Sequence, residues 1–193
     1  MQMATSRTIL GLSGSLRAAS LNTALLRTIG QHVPAGVRFQ QLDCHGVPLF
    51  NEDIAVPKAV QALKDAIATA DAILIATPEY NHSVAGVLKN AIDWASRPAY
   101  ESPFAGKFTG IVSASKSFVG GARAQQHLKT ILVGMGARVY AGPELLVGAA
   151  HEKTAEGQIN DPEILQNIRK FVDAYSAWAL ITDGITDSTG VRD

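Results

Sequence analysis

The chain is predicted to be a single α/β domain built on an open, doubly wound parallel sheet. Three observations carry that prediction. Short apolar strands alternate with helical segments along the chain. The middle strand, Ala72 to Ala76, is a continuous apolar run, as a parallel strand covered on both faces must be. A loop rich in glycine and hydroxyl groups, from Gly11 to Asn22, stands where the first strand hands over to the first helix. Five strands alternating with five helices imply parallel strands joined by crossover helices. Two strand orders are common for such sheets, and both bind ligands at the carboxyl ends of the strands near the switch point.

Taken in order, Thr8-Ile9-Leu10 reads as the first strand and Thr23 to Ile29 as the first helix. Val37 to Leu42 reads as the second strand, and Val47 to Pro57, which holds Pro48 and Pro57, as a loop. Ala59 to Ala70 places Val60, Leu63, Ile67 and Ala70 at helical spacing. After the strand Ala72 to Ala76 come a helix over Val84 to Ala95, a fourth strand over Phe108 to Ser113, a helix over Ala122 to Leu132 and a fifth strand over Ala137 to Tyr140. Asp161-Pro162-Glu163 opens the last helix, with Asp as cap, Pro in the first turn and Glu suiting the dipole. That helix is predicted to run to about Leu180, followed by a polar tail from about residue 183.

Composition narrows the function classes. The 193 residues suffice for one domain with a real core. Seventeen Lys and Arg balance seventeen Asp and Glu, so nothing points to a nucleic-acid or anionic-membrane partner. Cys44 is the only cysteine, which excludes an intrachain disulfide and a cysteine-rich zinc site. It lacks a redox partner, and Asp43 beside it disfavours the thiolate. None of the five His residues sits at a metal-ligand spacing from another His or a carboxylate. The beginning of the chain is a poor match to a signal peptide, and no apolar run approaches the roughly 20 residues of a membrane span. A cytoplasmic protein without membrane insertion is expected.

The loop Gly11-Leu12-Ser13-Gly14-Ser15-Leu16-Arg17-Ala18-Ala19-Ser20-Leu21-Asn22 has the make-up of a phosphate site. Small residues let backbone N–H groups approach, a helix N-terminus supplies partial positive charge, and Ser, Asn and Arg add donors. It lacks the G-x-G-x-x-G spacing of a dinucleotide fingerprint and the Gly-Lys-Ser/Thr of an NTPase loop. It also fails G-x-S-x-G, because Ser15 stands where the second Gly is needed. A second segment, Thr77-Pro78-Glu79-Tyr80-Asn81-His82-Ser83, leaves the buried strand directly, and its backbone suits the polar edge of a flat heterocycle. The plain structural alternatives are a packed Tyr80, a helix-capping Asn81 and an exposed His82. Trp94 is expected in the core or an interface.

G-S-L-R-x-x-S-x-N after the first strand and P-E-Y-N-x-S-x-x-G-x-L-K-N-A-I-D-W after the third resemble the NADPH-dependent FMN reductase family, closest to bacterial NAD(P)H quinone and chromate reductases. The segment S-A-S-K-S-F-V-G-G-A-R-A-Q-Q-H-L over Ser113 to Leu128 supports the resemblance, which spans roughly Ile9 to Leu146. It implies a flavodoxin-like three-layer sandwich with strand order 2-1-3-4-5 and one bound FMN. By the same resemblance, Ser15, Arg17, Ser20, Leu21 and Asn22 hold the FMN phosphate. Pro78, Glu79, Tyr80 and Asn81 line the isoalloxazine ring, and Ser113 and Ser115 lie near the ring and ribityl chain. Homodimers or homotetramers are implied, with His82, Arg123, Gln126 and Glu144 as interface candidates; some relatives carry Tyr at the positions of His82 and Gln126.

The implied chemistry is ping-pong. NADPH or NADH passes a hydride to flavin N5, and a quinone then takes two electrons, with chromate, azo and nitroaromatic compounds as further acceptors. The cofactor carries that chemistry, so no catalytic side chain is required. Backbone donors are expected to stabilise the reduced ring. Three alternatives share the fold: a flavodoxin-type electron carrier, a reductase that supplies FMNH2 to a partner monooxygenase, and a non-enzymatic redox sensor. Flavodoxins are generally strongly acidic with Thr-rich phosphate loops, whereas this chain is neutral and its loop carries Arg17.

Overall fold

Alternation of side chains along the strands decides the layering. The computed structural model describes residues 7–180. Chain order is β1 (Arg7–Ser13), α1 (Leu21–Gly30), β2 (Val37–Asp43), α2 (Lys58–Thr69), β3 (Ala72–Ala76), β4 (Glu79–Tyr80), β5 (Ser83–Val84), α3 (Gly86–Ala95) and β6 (Phe108–Ala114), followed by α4 (Ala122–Gly134), β7 (Arg138–Val139), β8 (Leu145–Val147), β9 (Thr154–Ala155), β10 (Gln158–Ile159) and α5 (Pro162–Ala179). The main sheet runs β2-β1-β3-β6-β7, with β8 also paired to β6, and all its pairings are parallel. This is the flavodoxin-like order, with β7 and β8 together in the fifth place.

In β3, Ala72, Leu74 and Ala76 face a core formed with α1 and α5, where Leu25, Leu26, Ile168 and Phe171 are buried. The intervening Ile73 and Ile75 face α2, α3 and α4, against Leu63, Ile67, Leu88 and Leu128. All five residues of β3 are buried, which explains its unbroken apolar run. Tyr175 of α5 lies against the sheet, its hydroxyl donating to the carbonyl of Ile73 at 2.6 Å. Gly110 makes room for that ring, since a Cβ there would stand 2.8 Å from Tyr175 Cε2.

The structure refines several expected elements. The fifth strand is in two pieces, because Pro143 interrupts the edge between them and proline has no N–H for a ladder. β7 pairs with Phe108 and Thr109, and β8 with Val112, Ser113 and Ala114. Helix α3 starts at Gly86 rather than Val84, because Val84 is taken by the β4–β5 hairpin. That hairpin turns through Asn81 and His82, both at positive φ (50° and 63°), as a tight two-residue turn demands. Asn81 therefore does not cap α3, whose cap position is Ala85. A second hairpin, β9–β10, braces α1: the Ile159 N–H donates to Thr28 Oγ1 at 2.9 Å. The N-cap of α5 is as expected, with Asp161 accepting from the Ile164 N–H. The polar tail from about residue 183 lies outside the described residues. No helix among the described residues is long and apolar enough to cross a membrane.

Trp94 is buried, and its indole N–H donates to the Pro48 carbonyl at 2.9 Å. Its ring meets Phe50 edge-on at 5.0 Å, tying the loop after β2 to α3. Cys44 is also buried, its thiol 3.6 Å from the Ser13 carbonyl. Burial, with Asp43 adding to it, pushes this thiol up to about 12. Burial likewise pushes the Tyr175 phenol well above its ordinary value. Both groups keep their protons in the fold at pH values where the unfolded chain has lost them. The stability these two groups contribute is therefore full below about pH 8.5 and declines above it, by about 1.4 kcal/mol per pH unit for each group that has titrated in the unfolded chain. Urea midpoints between neutral and strongly alkaline pH check this, and Tyr175→Phe should remove the steeper part of the fall. A flat profile would contradict it.

Candidate functional site

Three loops leave the carboxyl ends of β1, β3 and β6, and hydrogen bonds fasten them into one body. The Gly14 N–H donates to the Ala76 carbonyl at 2.8 Å, and the Thr77 N–H to the Val112 carbonyl at 3.0 Å. Asn22, at the start of α1, spans the sheet end to reach β6. Its Nδ2 donates to the Ala114 carbonyl and its Oδ1 accepts from the Ala114 N–H, both at 2.9 Å. The loops enclose a cavity of about 200 Å³.

The first wall is Ser15, Arg17, Ser20, Leu21 and Asn22. Ser20 caps α1, accepting from the Thr23 N–H at 3.2 Å. The chain reaches this cap through a turn in which the Ser20 N–H donates to the Arg17 carbonyl at 3.1 Å. Leu21 and Asn22 open the helix, so their N–H groups have no carbonyl within the helix to bond. Ser15 and Ser20 are buried, while Arg17 is exposed. Two hydroxyls, two helix-end N–H groups and a guanidinium fit a phosphate monoester.

The second wall is Pro78, Glu79 and Tyr80. Glu79 does not offer its charge to the cavity. Its carboxylate caps α4, accepting from the N–H groups of Arg123 at 2.9 Å and Ala124 at 3.2 Å. The Arg123 guanidinium stands 3.4 Å away and completes the ion pair. Tyr80 is half exposed at the mouth. Asn81 follows at the exposed hairpin tip and is not among the lining residues.

The third wall is Ala114, Ser115 and Lys116. Ser113 does not line the cavity. It is fully buried, its hydroxyl donating to the Gly120 carbonyl at 2.6 Å and accepting from Gln125 Nε2 at 2.8 Å. Gly121, at φ 94°, lies over it, and a Cβ there would stand 2.8 Å from Ser113 Oγ. Ser113 thus shapes the turn into α4. Ala114 and Lys116 escaped the sequence reading, which looked for hydroxyl donors; a lysine between two serines in a strand-end loop was the available signal.

The interface candidates gather around the outer side of α4. Gln126 is exposed on it, Arg123 is held by Glu79, and Glu144 accepts from Lys129 Nζ at 2.5 Å. His82 is exposed on the hairpin, which meets α4 where Ser83 Oγ and His127 Nδ1 lie 3.0 Å apart. A larger hollow of about 560 Å³ sits at the C-terminal ends of α3 and α4. Helix C-termini present carbonyls rather than N–H donors, and Lys89 there is paired with Asp93. Of these two, the strand-end cavity is the one suited to a phosphorylated ligand.

The chain is similar to known proteins over most of its length. Residues 7–152 match the family model described as NADPH-dependent FMN reductase. An NAD(P)H-dependent FMN reductase of Pseudomonas aeruginosa is 44% identical over 174 residues, covering 88% of this chain and 94% of that protein. A quinone reductase of Escherichia coli K12 is 38% identical over 174 residues, covering 86% and 92%. Among solved structures, the flavoenzyme NAD(P)H:(acceptor) oxidoreductase FerB from Paracoccus denitrificans superposes with a TM-score of 0.82 at 34% identity, over 90% of this chain and 97% of that one.

Proposed function

The chain belongs to the NADPH-dependent FMN reductase family, and on that premise we propose that it is an FMN-dependent NAD(P)H oxidoreductase that reduces quinones. The observation that carries this reading is the meeting of a phosphate-suited helix end, an aromatic-bearing wall and a third loop in one strand-end cavity. FMN, when bound, supplies the redox chemistry, taking a hydride from a reduced nicotinamide and returning two electrons to the acceptor. The chain binds, orients and tunes.

Arg17, the hydroxyls of Ser15 and Ser20, and the N–H groups of Leu21 and Asn22 would hold the phosphate. Pro78, Glu79 and Tyr80 would line the ring, with Asn81 just beyond them, and Ser115 would border the ribityl chain. The Asn22 side chain acts at one remove: both its polar atoms are spent on Ala114, so it holds the first wall against the third. Ser113 acts the same way, by shaping the loop. The cavity is small for a whole flavin, which suits a ring held near the surface and open to nicotinamide and quinone in turn.

The same reading places the protein in the cytoplasm as a homodimer or homotetramer, with His82, Arg123, Gln126 and Glu144 near the contact surface. NADPH and NADH are both reductants in this reading, and chromate, azo and nitroaromatic compounds are further acceptors. Steady-state kinetics with NADPH and benzoquinone test it. FMN-loaded protein should give parallel double-reciprocal lines without added free flavin. NADPH oxidation that needs free FMN as a turned-over substrate and ignores quinone would favour the flavin-supplying alternative instead.

A further inference from the structure

Two cationic side chains line the cavity, Arg17 and Lys116, and they belong to different walls. Arg17 stands beside the α1 N-terminus with the other phosphate donors. Lys116 is in the β6–α4 loop, exposed, and no carboxylate among the described residues is ion-paired with it. The one lining carboxylate, Glu79, is committed to the α4 N-terminus and Arg123.

The backbone of the Lys116 loop is largely spent on its own structure. The Ala114 N–H donates to Asn22 Oδ1, and the Ser115 N–H to the Val147 carbonyl. The Ser117 N–H donates to Ser115 Oγ, the Val119 N–H to Ser117 Oγ, and the Gly120 N–H to the Ser117 carbonyl. The Ser115 carbonyl accepts from the Ala150 N–H, and the Ser117 carbonyl also accepts from the Ala149 N–H. Of the three lining residues of this wall, Ala114 and Ser115 have their N–H groups engaged, so a row of backbone donors, the ordinary way to meet negative charge on a ring, is reduced to the Lys116 N–H. The full positive charge it can offer is the Lys116 ammonium, carried on a loop whose backbone is pinned on both sides.

We propose that Lys116 is a redox-tuning residue, whose ammonium stabilises the charge that a flavin ring in this cavity gains on reduction. The inference rests on the FMN reading above. Transfer of a hydride from NADPH adds two electrons and one proton to the ring and releases NADP+, so the ring side of the cavity gains one negative charge. A cation within several ångströms favours that state over the oxidised one. Its effect on binding of the oxidised ring is small, and it falls on FMN and riboflavin alike.

The test is Lys116→Gln against wild type, with Lys116→Arg as the charge-keeping control. Flavin fluorescence titrations give dissociation constants for FMN and riboflavin, and anaerobic dye-linked spectra give the midpoint potential of the bound flavin. In Lys116→Gln the preference for reduced over oxidised flavin should fall about tenfold, a drop of about 30 mV for a two-electron couple. Lys116→Arg should restore most of it. An unchanged potential in Lys116→Gln would overturn the proposal. So would a loss of FMN affinity that spares riboflavin, because Lys116 would then be a phosphate ligand. Failure of the wild type to bind flavin would refute the FMN reading itself and is seen before any variant is compared.

Discussion

Arg17→Ala should weaken FMN binding about 10- to 100-fold while leaving riboflavin binding unchanged. Charge-assisted hydrogen bonds to phosphate contribute roughly 1.5–3 kcal/mol each, and tenfold in affinity corresponds to about 1.4 kcal/mol. Arg17 is exposed, and among the described residues its side chain makes no hydrogen bond or ion pair, so its removal should not disturb folding. The remaining phosphate donors are built into the helix end and survive: the Ser20 hydroxyl and the N–H groups of Leu21 and Asn22. Riboflavin is the decisive control, because it carries the same ring without the phosphate. Parallel losses for both flavins would move Arg17 from the phosphate to the ring, and no loss for either would remove it from the site.

Asn22→Ala should cost about 2–4 kcal/mol of stability and most of the flavin affinity. Asn22 is 3% exposed, and its amide makes two hydrogen bonds of 2.9 Å to the backbone of Ala114. Truncation leaves a buried N–H and a buried carbonyl without those partners, and each unsatisfied group costs about 1–3 kcal/mol. The same bonds hold the α1 N-terminus against the end of β6, so the first and third walls lose their register. Urea denaturation of the flavin-free protein measures the stability term, and FMN titration measures the second. A loss of affinity with unchanged stability would mean that Asn22 contacts the ligand directly rather than bracing the walls.

The framework was legible because it follows from periodicity. β3 is apolar throughout because it is covered on both faces, and α5 announces its start with Asp161 and Pro162. The meeting of the three loops was legible for a related reason: in a parallel sheet the loops after β1, β3 and β6 must converge at one edge, and their hydrogen-bonding residues are visible in the sequence. What escaped were features that depend on partners far along the chain. The hairpin β4–β5 has strands of two residues each, too short for any period, and its two-residue turn places Asn81 and His82 at positive φ. The fifth strand reads as Ala137 to Tyr140 alone, and its second piece, Leu145–Val147, resumes only beyond Pro143.

The polar residues show the sharper limit. Asn22 reads as a phosphate ligand, Glu79 as lining the ring and Ser113 as lying near it, because a sequence displays a polar group without showing whether it is already used. In the fold, Ser113 is bonded to Gly120 and Gln125, Asn22 to Ala114, and the Glu79 carboxylate to the end of α4. Lys116 is the converse case: a plain surface lysine by sequence, it becomes informative because the N–H groups of Ala114, Ser115 and Ser117 beside it are engaged.

An anaerobic visible spectrum of the FMN-loaded protein, titrated first with NADPH and then with benzoquinone, bears most directly on the central claim. Bound flavin should bleach with one equivalent of NADPH and recover fully on addition of one equivalent of quinone. Flavin that stays oxidised under NADPH would leave only a carrier, and protein that retains no flavin would show that the strand-end cavity is not an FMN site.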